Sequence, residues 1–254
     1  MGFFTVTIYQ PLYNLLVWLY DVLPGADIGI AIIVLTILIK GLLFPLTFKQ
    51  LKSQKEMQEI QPLIKEIQTK YKDDKEKLAQ ELMGVYKEHN VNPFASCLPL
   101  VVQLPIFIGL FQVLRNGFGE VKSDLLYSFV PNPGMIDPMF FGLIDLSEVF
   151  IPLVILASIA QYFQMKFTIG RRVDKSVRKE SGAMDEDMTA RMNKSMMYMM
   201  PVVTLIIGTT MPSGLMLYWL ATTLLTIALY SIFLGEKKDK KGKGREFEAT
   251  VVEK

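Results

Sequence analysis

Histidine and cysteine are nearly missing from this chain of 254 residues, which holds one of each, His89 and Cys97. A lone cysteine excludes an intramolecular disulfide, and one Cys with one His leaves no metal-ligand cluster. There is no Gly-rich phosphate loop, so no enzyme signature, cofactor or metal is implied. Carboxylates are absent from the five apolar runs long enough to span a bilayer; they lie ahead of the first (Asp21, Asp27), in the polar segments between them and in the tail. A proton relay or cation transporter would need such a buried carboxylate, or repeat symmetry, and neither is present. Residues 1–27 contain no Lys or Arg. Without a basic start or a clear cleavage site, they do not read as a secretory leader.

What is present is apolar. Hydrophobic residues make up 51% of the chain. A bilayer core asks for about 20 apolar residues per helical span, and five runs qualify: 28–48, 95–114, 149–168, 194–210 and 214–234. The fourth is short and draws in its Met-rich start, Met196, Met197, Met199 and Met200. Lys and Arg alternate between the connectors: nine in 49–94, two in 115–148, eight in 166–194 and seven in 235–254. The basic connectors face the cytoplasm, which predicts an outside N-terminus, a cytoplasmic C-terminus and five spans in a cell membrane. Residues 3–23 are also apolar enough for a sixth span. Yet Thr7, Gln10, Asn14 and Asp21 recur on one helical face, which suits a helix lying in the interface.

Lys40 stands alone inside the first run. An ammonium at membrane depth costs about 2.5–3.5 kcal/mol even on lenient scales. It lies eight residues from the inner end of the run, about 12 Å along a helix, farther than its stem reaches. Two readings remain: a lysine that snorkels through a thinned bilayer, or a cationic, water-filled recess reached from the cytoplasm. The other polar side chains in or near the runs are Gln103, Gln161 and Gln164, with Tyr218 and Trp219 in the last.

Segment 49–92 has its own pattern. Met57, Ile60, Ile64, Ile67 and Tyr71 step by three and four, and so do Leu78, Leu82, Val85 and His89. Lys72-Asp73-Asp74 lies between the two stripes. This predicts an antiparallel, coiled-coil-like hairpin projecting as a contact arm, bent at Pro62. The tail from Glu236 is basic and poor in apolar residues, which predicts disorder; contact with anionic lipid or ribosomal RNA and a plain topology signal are equal readings of its charge.

Several longer motifs are recognisable. Asn92-Pro93-Phe94-Ala95-Ser96-Cys97-Leu98-Pro99, continuing through Gln103-Leu104-Pro105-Ile106-Phe107, resembles the second core span of the YidC membrane-insertase family. Met211-Pro212-Ser213-Gly214-Leu215-Met216-Leu217-Tyr218-Trp219 resembles the start of its last span. Ile60 to Ile67, with Lys70-Tyr71, is similar to its cytoplasmic hairpin, and Ala160 to Lys166 to the inner end of its third span.

The resemblance implies an all-α polytopic membrane protein, with five transmembrane helices around a hydrophilic groove open to cytoplasm and lipid. Its parts would be an interfacial helix (1–27), a first span (28–48), the hairpin (49–92), four further spans (93–234) and a tail (235–254). The family's groove carries a basic residue, usually Arg, where this chain has Lys40. By the same resemblance Gln161 and Trp219, with Gln103 and Tyr218, line the groove. Such a protein inserts and helps fold newly made membrane proteins. Its implied partners are nascent membrane proteins, the lipid bilayer, the ribosome (through hairpin, basic connector and tail) and the Sec translocon. The alternative is a Sec-associated chaperone or scaffold without insertase activity of its own. The resemblance implies the family's compact form, without a large globular domain ahead of the spans.

Overall fold

The computed structural model describes residues 2–92, 98–168 and 197–233, and these are mostly helical. Cys97, the 170–191 connector, Met196, the basic tail and the outer edges of three apolar runs lie outside the described residues. A short π-helical turn, Thr5–Tyr9, leads into α1 (Gln10–Val22). Then follow α2 (Ile28–Leu42), α3 (Phe44–Glu59), α4 (Gln61–Lys70) and α5 (Lys75–Glu88). The apolar half holds α6 (Leu98–Asn116), α7 (Ile151–Thr168), α8 (Met197–Gly208) and α9 (Ser213–Phe233).

By length and composition α9 can cross a membrane, whereas α6, α7 and α8 are shorter apolar helices. The run 28–48, expected from the sequence to be a single span, is broken: α2 and α3 meet at 67° around Leu43. Pro45 explains the break. In a continuous helix its ring would collide with the carbonyl of Gly41, and its nitrogen has no proton to donate. The Leu43 N–H instead closes the last turn of α2 on the carbonyls of Ile39 and Gly41. At the other end Asp27 caps α2, its Oδ1 accepting from the N–H groups of Gly29 (2.8 Å) and Ile30 (3.0 Å).

Helix α9 is the hub, with α2, α6 and α7 packed along it. Ile32 and Leu35 of α2, Leu110 of α6, Val154 of α7 and Leu215 and Met216 of α9 are fully buried in one core. Gly208 lets the end of α8 join them, since a Cβ there would strike Val154 and Met216.

Helix α1 packs on α2 and α6. Asp21 is exposed, but the helix's other polar side chains are committed to protein rather than to water. Gln10 and Asn14 both donate to the Leu125 carbonyl (3.1 and 2.8 Å), and Asn14 accepts from the Tyr127 N–H at 2.6 Å. The hydroxyls of Tyr13 and Tyr20 accept from the N–H groups of Lys122 and Asp137. The connector from Gly117 to Phe150 is thereby fastened to α1. It forms two small antiparallel hairpins, β1 (Gly119–Glu120) with β2 (Met135–Ile136), and β3 (Met139–Phe140) with β4 (Ile144–Asp145).

Helices α4 and α5 form a separate hairpin with its own core of Ile60, Ile64, Ile67, Val85 and Val91. Asp74 caps α5 through the Lys77 N–H at 3.0 Å. Pro62 sits at the start of α4, and the helix is interrupted at Ile60, where only a bend was expected. His89, which continued the stripe in sequence, caps the end of α5 instead.

Candidate functional site

Lys40 occupies the last turn of α2 and is half-buried. Because the chain turns away at Leu43, Lys40 lies three residues before a corner rather than midway along a straight rod. Among the described residues it makes no ion pair and no hydrogen bond to the protein. The nearby end of α2 is apolar and open: Ile37, Leu38 and Leu42 are all exposed. An unpaired ammonium beside such a surface retains its full capacity to attract an anion.

A second polar pair joins α6 to α9. The side-chain amide of Gln103 donates to the hydroxyl of Tyr218. Tyr218 is only 2% exposed, while Gln103 keeps part of its surface open. One residue further along α9, Trp219 meets Phe107 of α6 edge-to-face, with ring centroids 5.4 Å apart. Pro105 lies between Gln103 and Phe107 and cannot donate to the carbonyl of Val101, which loosens α6 at that level. On α9, Thr222 lies one turn beyond Tyr218, and Thr226 one turn beyond that, its hydroxyl donating to the Thr222 carbonyl. The face of α9 that carries Tyr218 is therefore a polar stripe in an otherwise apolar helix.

The third pair joins α7 to α8. Gln161, 3% exposed, accepts a hydrogen bond from the hydroxyl of Thr204, itself 2% exposed. Tyr162 and Tyr198 pack their rings beside it at 5.9 Å. In an apolar surrounding an unsatisfied amide is costly, so this contact fixes the register of the two helices.

Of the five residues singled out in the sequence, Gln103 and Tyr218 are bonded to each other and Trp219 adjoins them. Gln161 is held in a separate contact, and Lys40 is bonded to none of them. All five lie on α9 or on helices that pack against it. Sequence reasoning missed Thr204, Thr222 and Pro45. A hydroxyl in an apolar run, and a proline just after the Lys40 turn, were the available signals.

The arrangement leaves Lys40 as a half-buried cation beside an open apolar surface, while Gln103 with Tyr218 and Gln161 with Thr204 are engaged in hydrogen bonds between helices. The model of the 60Kd inner membrane protein family matches residues 18–240. The chain is similar to the membrane protein insertase YidC of Fusobacterium nucleatum, 39% identical over 79% of this chain and 83% of that protein. Membrane protein insertase YidC 2 of Listeria innocua is 37% identical over 89% of this chain and 70% of its own. The YidC of Pelobacter propionicus is 36% identical over 89% of this chain, which spans 38% of that longer protein.

Proposed function

The chain belongs to the YidC membrane protein insertase family, and on that premise we propose that it inserts and helps fold newly made membrane proteins in the bacterial inner membrane. The substrate path is a hydrophilic groove among five spans, α2 and α6 to α9, open to the cytoplasm and laterally to lipid. Lys40, Gln103, Gln161, Tyr218 and Trp219 line it. The N-terminus faces outside and the C-terminus the cytoplasm, where the α4–α5 hairpin, the basic connector and the tail meet the ribosome. The Sec translocon is a further partner.

The observation that carries this reading is Lys40: a half-buried ammonium without a protein partner among the described residues, at the open apolar end of α2. A single-span substrate must carry a polar tail through hydrocarbon, at several kcal/mol for each unsatisfied group. A wet recess part-way into the bilayer shortens the dry path, and the fixed cation draws acidic tails into it. The substrate's apolar helix then slides along the lipid-open side. Burial of about 20 apolar residues drives the step without a nucleotide.

Reconstitution tests this directly. The purified chain in liposomes is given a single-span substrate with an acidic N-terminal tail, and protease protection of the tail is measured against empty liposomes. Protection well above empty liposomes supports autonomous insertion. Equal protection, with folded and oriented protein, replaces it with a Sec-associated chaperone or scaffold.

A further inference from the structure

We propose that the tip of the β3–β4 hairpin, Phe141-Gly142-Leu143, is a wedge that dips into the outer leaflet of the bilayer. This rests on the membrane placement in the proposed function and adds a lipid-contact site outside the spans. Residues 138–144 carry no charged or hydrogen-bonding side chain. At the tip, Phe141 is 65% and Leu143 83% exposed. Isolated exposed apolar residues are ordinary on any protein, but these two crown one turn and its whole loop is apolar.

The position of the hairpin names the occupant. Phe140 packs so closely on the first turn of α2 that a Cβ at Gly29 would overlap its ring. Behind β4, the carbonyls of Leu146 and Glu148 accept from the N–H groups of Gly214 and Ser213, both at 2.9 Å, where α9 begins. The Ser213 hydroxyl accepts from the Phe150 N–H at 2.6 Å, immediately before α7. Three apolar helices thus start at the level of this hairpin, which the proposed membrane placement makes the boundary where hydrocarbon gives way to headgroups. Apolar side chains projecting at that boundary meet lipid, and interfacial elements bury such groups about 5–10 Å into the headgroup and acyl boundary.

The backbone supports a built tip rather than a loose one. Phe141 and Gly142 both have positive φ, 51° and 66°, the pattern of a type I′ turn. Asn, Asp or Gly is the usual occupant of its first central position. Phenylalanine there goes against local preference, so something else maintains it. The Oδ2 of Asp27 accepts the Phe141 N–H at 2.6 Å, clamping the turn to the cap of α2. The tip is therefore stiff, and its two side chains are presented rather than tucked away.

Three single-cysteine variants, each in a Cys97→Ser background, test the wedge: Leu143→Cys at the tip, Met83→Cys on the hairpin of α4 and α5, and Leu224→Cys on α9. Met83 and Leu224 are about as open as each other, at 52% and 51%. Each is labelled with an NBD fluorophore and reconstituted into liposomes with or without doxyl-labelled phosphatidylcholine. The expected result is a blue-shifted emission at 143 and lipid quenching at least about twofold stronger than at 83, approaching that at 224. Water-like emission and weak quenching at 143, with 224 strongly quenched, overturns the wedge alone. Weak quenching at 224 as well overturns the membrane placement, and the wedge falls with it.

Discussion

Gln103 and Tyr218 are joined side chain to side chain, an amide donating to a phenolic hydroxyl across the α6–α9 contact. Next to them the contact is purely aromatic, Phe107 against Trp219. The polar pair therefore sets the angular register of α6 on α9, a choice that apolar packing alone leaves loose. Tyr218→Phe and Gln103→Leu should each lower the thermal stability of the purified protein slightly. The double variant should lose less than the sum. A coupling of about 0.6 kcal/mol is the measured average for such pairs in membrane proteins. Strict additivity in the double-mutant cycle contradicts a direct bond.

In the proposed groove Lys40 acts through its charge rather than its shape. Lys40→Arg should therefore keep or improve insertion of substrates with acidic tails, since it adds a bidentate fork to the same charge. Lys40→Gln should slow those substrates about tenfold, on the scale of one lost charge-assisted hydrogen bond, and leave neutral tails nearly unchanged. Initial rates of protease protection for the two tail types separate these outcomes. An equal loss for both tails assigns Lys40 to packing.

Asp27 serves two structures with two oxygens, capping α2 with one and holding Phe141 with the other. Asp27→Ala removes both and should reduce stability by about 2 kcal/mol. Asp27→Asn retains one acceptor oxygen and should fall between the parent and the alanine variant. Thermal unfolding in detergent reads the order; an alanine variant as stable as the parent argues that neither contact contributes.

Burial raises the pKa of Tyr86, which packs beside the core of the α4–α5 hairpin. The folded hairpin then holds this proton more tightly than the unfolded chain does. The resulting stabilisation is complete below the unfolded pKa of about 10 and is lost as pH rises through the higher folded value. Hydrogen exchange or limited proteolysis of the hairpin should show it loosening above about pH 10, and Tyr86→Phe should flatten that dependence.

The helical character of the chain was legible because apolar runs and three-and-four stripes leave few alternatives. Met57, Leu78 and Leu82 carry the stripes, and in the structure they pack on the hairpin core with Ile60, Ile64, Ile67 and Val85. The break at Leu43 was obscured because hydropathy averages over Pro45, which lies in an unbroken stretch of apolar neighbours. Gln10 and Asn14 were legible as one polar face, but not what they would meet. Their partners, Leu125 and Tyr127, lie more than a hundred residues away and offer backbone groups rather than side chains. Gln103 and Gln161 stood out as amides in apolar runs. Their partners Tyr218 and Thr204 depend on helix rotation, which no local pattern encodes.

The corner between α2 and α3 has a mechanical consequence. Helix α2 is anchored along α9, while α3 leans on α6 and α7 and carries the α4–α5 arm at its far end. With 16 residues, α3 is about 24 Å long, so a swing of about 5° at Leu43 displaces its far end by about 2 Å. A load on the arm would thus press α3 against α6 and α7, whereas the helix bearing Lys40 is held along α9. In this architecture the crank and the fixed charge belong to one continuous chain, yet they bear on different walls.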